Sequence, residues 1–344
     1  MRALCKLGLG IAAFAWPVLS QANAATLVPV TPPSGAVQTI VFGINNLDVI
    51  AGAYIDANNG THGFVGPLNG TYTTFDFGGA STGTVPRALD DAGDIVGFAA
   101  DPNFTLGEEF LRPAHGTIGP ITKNGAPLDG VAQGINLIGE TSTGDYIDPN
   151  TGARTGYLAR KGVYRSDVTL GLNVFTTNPR SLNYFGTLAG FYVETDRVTT
   201  HGFILSKWGR LQIVDADDSG TTALEGINIW ALATGQVLDS SDEPHSFVYN
   251  STTGKFSAID IPDGSAGQQA WGVNDLGQIA VSTSKGLSYI YCLSKFLCPQ
   301  GGTMVPDGRS WKAKPGASLH YDHNGRTGVK AAKTVHLPGG ALSR

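Results

Sequence analysis

The stretch Gly43-Ile44-Asn45 decides the fold, because versions of it return five more times along the 344-residue chain. We call the last residue of each copy the anchor. The other copies are Ala88-Leu89-Asp90, Gly134-Ile135-Asn136, Ser181-Leu182-Asn183, Gly226-Ile227-Asn228 and Gly272-Val273-Asn274. Successive anchors are separated by 45, 46, 47, 45 and 46 residues. A period this regular indicates a repeat architecture, in which each copy is one structural unit.

Other features recur in phase with the anchors. A glycine lies seven residues after most anchors, and an aromatic residue preceded by Gly or Ser follows about twelve residues after that glycine. Short runs of alternating, β-branched residues fill the intervals, and turn-forming pairs such as Asn69-Gly70 separate them. Alternation of this kind is typical of strands, and Asn-Gly is typical of tight hairpin turns. Each copy therefore predicts four short antiparallel strands.

A four-stranded unit of this length, repeated six times, predicts an all-β fold: a six-bladed β-propeller over residues 25–303. A solenoid is the alternative, and it would require a cap at each end. The last copy has three clear strands, whereas residues 27–30 form a strand-like run without a unit of their own. We therefore expect the N-terminal strand to complete the sixth blade, because closure removes exposed sheet edges.

At these residues the chain resembles the bacterial "probable extracellular repeat, HAF family", named after a His-Ala-Phe tripeptide that follows a Gly-Ile-Asn anchor. The tripeptide stands here as His62-Gly63-Phe64, His201-Gly202-Phe203 and His245-Ser246-Phe247, and three copies lack the histidine. The resemblance spans about residues 39–295. It implies export and a propeller-like fold, but no defined reaction, so no functional residue is carried over from it.

The N-terminus predicts a secretory signal peptide over residues 1–24. Arg2 and Lys6 precede an apolar run that is too short to span a bilayer, and Ala22-Asn23-Ala24 matches a cleavage site. We expect a secreted or periplasmic protein that begins near Ala25. Cys292 and Cys298 then remain, and an oxidising compartment favours a disulfide between them.

Charge is distributed unevenly along the chain. The net charge is −5, yet residues 304–344 carry seven basic against two acidic residues. We expect this Gly- and Lys-rich tail to be poorly ordered or docked on the acidic body. Nucleic acid is not an expected partner, because its recognition needs a clustered basic face. No second apolar run of spanning length follows the signal, and a monomer is expected.

Five acidic residues recur about eleven positions after an anchor and suggest a ring on the loop face opposite the anchors. They are Asp56, Asp101, Asp148, Glu194 and Asp239. Such a ring could bind a cation such as Ca²⁺, which prefers several oxygen ligands, or attract a basic ligand. The alternative, which we favour, is local: an Asp that opens a Gly-containing loop bonds its own backbone in an Asx-turn. No other cofactor or metal site is predicted.

The three repeated histidines favour a structural role over a catalytic one, because a residue fixed by a repeat usually serves each repeat in the same way. No nucleophile elbow, phosphate-binding loop or HExxH motif is present, and the catalytic residues, if any, stay unidentified. We therefore expect a binding or surface-interaction module, with an extracellular polysaccharide or protein as partner. The alternative is a carbohydrate-active enzyme, a polysaccharide lyase or glycoside hydrolase that uses the variable loop face.

Overall fold

The computed structural model describes residues 25–68, 71–78, 83–100, 107–136, 141–239, 241–263, 267–299, 302–305 and 310–312. The predicted signal peptide and residues 313–344 of the predicted tail lie outside this part of the chain. Within it, the secondary structure consists of β-strands and one short 3₁₀ helix, Lys295–Leu297. The predicted all-β class is confirmed. Among the described residues, no helix has the length and apolar character needed to cross a bilayer.

The strands form successive meanders of up to four antiparallel strands, which are grouped into five hydrogen-bonded sheets. We call the meander that contains each anchor a unit and number the units in chain order. The N-terminal strand is β1 (Ala25–Pro29). Unit one contains β2 (Ala36–Ile44), β3 (Val49–Asp56), β4 (Thr61–Pro67) and β5 (Thr73–Phe75). Unit two contains β6 (Gly83–Leu89), β7 (Ile95–Ala100), β8 (Gly107–Arg112) and β9 (Gly119–Pro120). Unit three contains β12 (Asp129–Asn136), β13 (Thr141–Ile147), β14 (Arg154–Arg160) and β15 (Val163–Asp167). A small hairpin, β10 (Thr122–Lys123) and β11 (Ala126–Pro127), lies between units two and three.

The remaining units follow the same plan. Unit four contains β16 (Val174–Leu182), β17 (Leu188–Glu194), β18 (Thr200–Leu205) and β19 (Leu211–Val214). Unit five contains β20 (Ala223–Ile227), β21 (Leu232–Leu238), β22 (Pro244–Asn250) and β23 (Lys255–Ala258). Unit six contains β24 (Gln268–Val273), β25 (Gln278–Thr283) and β26 (Ser288–Cys292). Two short strands come last, β27 (Thr303–Val305) and β28 (Ser310–Lys312). Each anchor ends or directly follows the first strand of its unit.

The N-terminal strand belongs to the sixth unit. β1 pairs antiparallel with β26, in a register that places Thr26 opposite Cys292 and Pro29 opposite Tyr289. This is the pairing that the sequence predicted for residues 27–30. The first residues of the predicted tail extend two units, since β27 pairs with the other edge of β1 and β28 pairs with β23. The tail thus covers two outer sheet edges, where unpaired backbone groups would otherwise be exposed.

Large side chains between neighbouring units form the core. One aromatic ring in the third strand of each of the first five units is fully buried: Phe64, Phe110, Tyr157, Phe203 and Phe247. The recurring glycine of the second strand lies beside it for a steric reason. A Cβ on Gly52 would come within 2.1 Å of the Ile40 carbonyl oxygen, and one on Gly190 within 2.2 Å of the Asn178 oxygen. The repeat therefore requires glycine here because the first and second strands approach too closely for any side chain.

Adjacent units are also joined by the small residue that precedes this aromatic position. The Ser246 hydroxyl donates to the Gln268 carbonyl at 2.6 Å and accepts from the Ala270 amide at 2.8 Å, which links units five and six. The Ser288 hydroxyl makes the same two bonds to Thr39 and Val41, which links unit six to unit one. The contact between the last and the first unit is thus built like the contact between consecutive units.

Cys292 and Cys298 form the predicted disulfide, with 5.6 Å between their Cα atoms. The bridge closes a loop that leaves the end of β26 and contains the 3₁₀ helix. Its Cys298 half packs against the buried cluster around Val28 and Ile290. The disulfide therefore fixes the segment that leaves the sixth unit close to the junction with β1.

Candidate functional site

The anchors form a hydrogen-bonded chain from unit to unit. Among the described residues, the side-chain Oδ1 of every anchor except Asn136 accepts two amides of its own turn, as Asn183 does from Phe185 and Thr187 at 3.0 Å. Its Nδ2 donates to the carbonyl of the next anchor. These inter-unit bonds run from Asn45 to Asp90, Asn136 to Asn183, Asn183 to Asn228, Asn228 to Asn274 and Asn274 back to Asn45. Asp90, which has no amide donor, interrupts the series.

A β-bulge lies three residues before each anchor. The register between the first and second strands shifts there in every unit, for example between Val41 and Gly43 and between Leu224 and Gly226. Bulges of this kind redirect a side chain and are frequent beside functional sites. The side chains at this position, which we call the bulge ring, are Phe42, Arg87, Gln133, Arg180, Glu225 and Trp271. The bulge ring has five residue types in six units, whereas the anchors are all Asn or Asp.

All six side chains of the bulge ring line one central cavity, whose volume is about 440 Å³. The anchors other than Asn228 line the cavity as well, and the first strand of each unit borders it. The volume falls in the range of roughly 300–1,000 Å³ that is usual for small-molecule sites. This cavity is the candidate functional site.

One half of the bulge ring is charged. Glu225 lies between Arg87 and Arg180, and its Oε2 is 3.7 Å from an Nη of the first and from Nε of the second. These separations exceed hydrogen-bonding distance, and among the described residues neither Arg180 Nε nor Glu225 Oε2 has a hydrogen-bond partner. The Glu225 side chain is only 3% exposed. The structure therefore holds an incompletely paired donor and acceptor beside the cavity.

Two of the remaining three members of the bulge ring are aromatic. Phe42 and Trp271 meet edge to face with their centroids 4.9 Å apart, and the Arg87 guanidinium lies 4.4 Å and 4.6 Å from the two ring centroids. Arg87 Nε also donates to Gln133 at 2.9 Å. Burial and the charge of Arg180 lower the pKa of Arg87 to about 9, although Glu225 and Asp145 oppose this effect. The guanidinium nevertheless keeps its charge at neutral pH.

The mouth of the cavity has a polar side and an aromatic side. On the polar side, the Asn46 amide group donates to the Asp91 and Asp275 carboxylates at 2.8 Å and 3.1 Å. On the aromatic side, Tyr184 and Phe185 line the cavity with 48% and 55% of their surfaces exposed. The turn between the first and second strands and the turn between the third and fourth strands both lie at this end. In unit one, the amide of Leu68, which follows β4, donates to the carbonyl of Asp48, which lies between β2 and β3. We call this end of the molecule the anchor face.

A second buried polar cluster lies between units two and three, away from the cavity lining. Glu109 replaces the glycine or serine that precedes the core aromatic residue in other units, and the Tyr157 hydroxyl donates to its carboxyl group. Burial raises the pKa of Glu109 well above its usual value, more than the Tyr157 hydrogen bond lowers it. Burial thus favours the neutral form of Glu109 beside the β8–β12 pairing, which joins these two units.

Three of the five acidic residues that the sequence singled out accept hydrogen bonds within their own turns. The Asp56 carboxylate accepts from the amides of Asn58 and Gly60, Asp148 from Asn150, and Asp239 from Ser241 and Glu243. The Gly60 amide is the main cause that lowers the pKa of Asp56. Asp101 lies outside the described residues. None of the other four acidic residues lines the cavity, and these hydrogen bonds favour the Asx-turn interpretation.

The repeated histidines bind these same acidic residues. His201 stacks on Tyr192 and holds Asp215 at 2.8 Å and Glu194 at 3.2 Å. His62 contacts Asp76 and Asp56 in the same way, and His245 contacts Asp239. The histidines and the acidic residues thus fasten the end of the second strand to the third and fourth strands. Within the described residues, no group of three or more His, Cys, Asp or Glu side chains could hold a metal ion.

Sequence reasoning placed the candidate site on the loop face and did not single out the bulge ring. A signal was available, since aligning the six copies on their anchors shows that the residue three positions earlier changes in chemical character from copy to copy. A strand residue next to a fixed Gly-Ile-Asn triplet reads as part of the core, however. Only the bulge shows that it points into the cavity.

Comparisons with known proteins show likeness in structure only. No protein-family model matches the chain, and no curated protein matches it either. Among solved structures, the chain is similar to a streptogramin B lyase, with a TM-score of 0.44 and 10% identity, over 79% of this chain and 99% of that one. It is also similar to the WD40 β-propeller domain of Doa1, with a TM-score of 0.37 and 12% identity, over the same shares of the two chains. The resemblance to the HAF family stays a prediction.

Proposed function

We propose that the chain is a closed six-bladed β-propeller of the HAF type, exported from the cell, that acts as a binding module through its central cavity. Closure is supported by the pairing of β1 with β26 and by the hydrogen bond from Asn274 to Asn45, which leads from the last unit to the first. The disulfide is compatible with an oxidising compartment. Sequencing the N-terminus of the protein recovered from the periplasm or medium tests export, and a start near Ala25 is expected.

The bulge ring is the observation that carries a binding function. If this position served only the fold, the same residue could stand there in each unit, as nearly the same residue does at the anchors. Instead, two arginines, one glutamate, one glutamine and two aromatic residues converge on one cavity. A buried polar atom without a hydrogen bond lowers the stability of a folded protein. Arg180 Nε and Glu225 Oε2 are two such atoms among the described residues, and both residues line the cavity. Such a donor and acceptor gain their missing hydrogen bonds when a polar ligand binds.

A thermal-shift screen tests this proposal. The protein is incubated with a broad panel of small sugars, carboxylates, amino acids and amines, and its melting temperature is measured. A ligand that seats in the cavity should raise the melting temperature by about 2–4 °C at saturating concentration. The Arg180→Gln variant should lose that rise, whereas Trp208→Ala, on a turn outside the cavity lining, should keep it. A panel with no Arg180-dependent shift would sink the proposal.

The alternative, a carbohydrate-active enzyme on the same scaffold, is favoured by the same break in symmetry, since charged groups of three different units meet in one cavity. This alternative predicts turnover as well as binding. Incubation with a polysaccharide panel, monitored by reducing ends and by the absorbance of unsaturated products, separates the two functions. Turnover that disappears in Glu225→Gln would replace the binding role with catalysis.

A further inference from the structure

The chemistry of the cavity narrows the class of ligand, provided that the cavity binds one as proposed above. Arg180 Nε and Glu225 Oε2 are 3.7 Å apart, and one is a donor and the other an acceptor. A hydroxyl oxygen placed against both can accept from the guanidinium and donate to the carboxylate at the same time. A ligand hydroxyl therefore matches this pair, whereas an amine supplies only the donor and a bare carboxylate only the acceptor.

Charge adds a second requirement. The bulge ring holds two guanidinium groups and one carboxylate, which leaves one positive charge in excess within the ring, while Asp90, Asp91 and Asp275 line other parts of the same cavity. Arg87 uses its Nε toward Gln133, and its Nη groups and those of Arg180 remain near the cavity. Guanidinium groups recognise carboxylates in a bidentate geometry. A ligand with one carboxylate would balance the excess charge.

The mouth of the cavity limits the ligand further. Asp91 and Asp275 stand on its polar side and disfavour a ligand with many negative charges, such as a polyphosphate. Tyr184 and Phe185 expose their rings on the other side, and Trp230, 46% exposed, is held next to Asp275 by a hydrogen bond from its indole N–H. The C–H faces of sugar rings stack on such exposed aromatic rings while their hydroxyls reach neighbouring polar groups.

We infer that the cavity binds the end of an acidic carbohydrate chain. A carboxylate-bearing sugar contacts Arg87 and Arg180 and places a hydroxyl between Arg180 and Glu225. The next sugar stacks on Tyr184 and Phe185 at the mouth. The anchor face, rather than the variable loop face, is then the side of the molecule that meets the polysaccharide.

Calorimetric titration with matched trisaccharides tests the inference. Trimers of galacturonate, glucuronate and mannuronate are each compared with their neutral counterparts, galactose, glucose and mannose. At least one acidic trimer should bind about tenfold more tightly than its neutral counterpart. Arg180→Gln should abolish this preference, and Arg180→Lys should restore part of it. Phe185→Ala should weaken acidic and neutral trimers alike by several-fold, because stacking does not depend on the carboxylate.

Three results would overturn the inference. They are no binding of any acidic trimer, equal binding of acidic and neutral trimers, or a preference that survives in Arg180→Gln. Trp208→Ala is the control, because its exposed ring lies outside the cavity lining and should not affect affinity. Since Phe185 is exposed, its variant tests the mouth even if Arg180→Gln folds poorly. If the broader screen finds an Arg180-dependent ligand that is not an acidic sugar, the cavity still binds and only this inference fails.

Discussion

The anchors and the bulge ring lie three residues apart in each unit beside the same cavity, yet the anchors are nearly constant and the bulge ring is variable. The anchors are Asn or Asp in all six units, and a side chain such as Asn183 hydrogen-bonds to its own turn and to the next unit. The bulge ring changes from unit to unit and faces the cavity. The comparison teaches that the repeated position specifies the fold, whereas the position that varies within the same frame holds the candidate function.

The largest expected effect comes from breaking an anchor. Asn183→Ala removes the bond to the Asn228 carbonyl and leaves the amides of Phe185 and Thr187 without their acceptor. We expect the free energy of unfolding to fall by about 3–4 kcal/mol, measured by urea denaturation. Asn183→Asp keeps the acceptor, loses the inter-unit donor and buries a carboxyl group as at Asp90, so its loss should be smaller, about 1–2 kcal/mol. Equal losses in both variants would contradict the roles assigned to the two side-chain atoms.

A smaller loss of stability is expected when the acidic residue of the bulge ring is neutralised. Glu225→Gln leaves Arg87 and Arg180 facing each other without a counter-charge. We expect it to lower the free energy of unfolding by about 2 kcal/mol, because an uncompensated buried charge remains. Adding Arg180→Gln should recover more than half of that loss. If the double variant is less stable than Glu225→Gln alone, electrostatic repulsion is not the cause.

Much of the fold was predictable from the sequence because its determinants are local and repeated. The Gly-Ile-Asn period gave the all-β class and the four-stranded units, and the run at residues 27–30 indicated the pairing with β26. The cysteine pair was also predicted correctly. The strands at Thr303–Val305 and Ser310–Lys312 were not predicted, because they add to sheet edges far away in sequence and repeat no motif.

The candidate site was not predictable to the same degree. A bulge depends on how two strands pair, and Phe42 or Trp271 reads as a core residue when taken alone. The acidic residues and histidines drew attention because they recur in phase. Their recurrence reflects the local bonds that they make with each other and with their own loops, as at His201 and Glu194.

Asp90 is the one anchor that is not Asn, and we expect its replacement by Asn to stabilise the protein. Burial is the main cause that raises the pKa of Asp90, and the charge of Asp94 adds to it, despite hydrogen bonds from its own turn. A carboxyl with a raised pKa contributes stability at low pH that is lost as the pH rises through that pKa. Asp90→Asn removes this cost and supplies the donor that the other anchors use. We expect about 1 kcal/mol of added stability at neutral pH and less below the ordinary Asp range. A variant no more stable than wild type at neutral pH would show that the interruption of the anchor series costs nothing.

His201 tests whether the recurring histidines belong with the anchors as structural residues. Burial disfavours its charged form, but Asp215 and Glu194 outweigh that effect and raise its pKa. The stabilisation is therefore complete below the ordinary histidine pKa and is lost as the pH rises through the raised value. We expect His201→Gln and Asp215→Asn each to reduce this pH dependence, by less than about 1 kcal/mol, in denaturation series across that range. A wild-type slope in both variants would assign the dependence to other groups.

The smallest effect is expected where the sequence suggested a calcium site. Asp56, Asp148 and Asp239 already accept backbone amides of their own loops, and Asp239 also binds His245. The hydrogen bond from His245 is the main cause that lowers the pKa of Asp239, so the carboxylate is ionised without a metal. A cation would have to compete with these bonds at separate turns, and adding calcium should change the melting temperature by less than about 1 °C. A saturable rise that disappears in Asp239→Asn would instead give the acidic residues a binding role and return the search for function to the loop face.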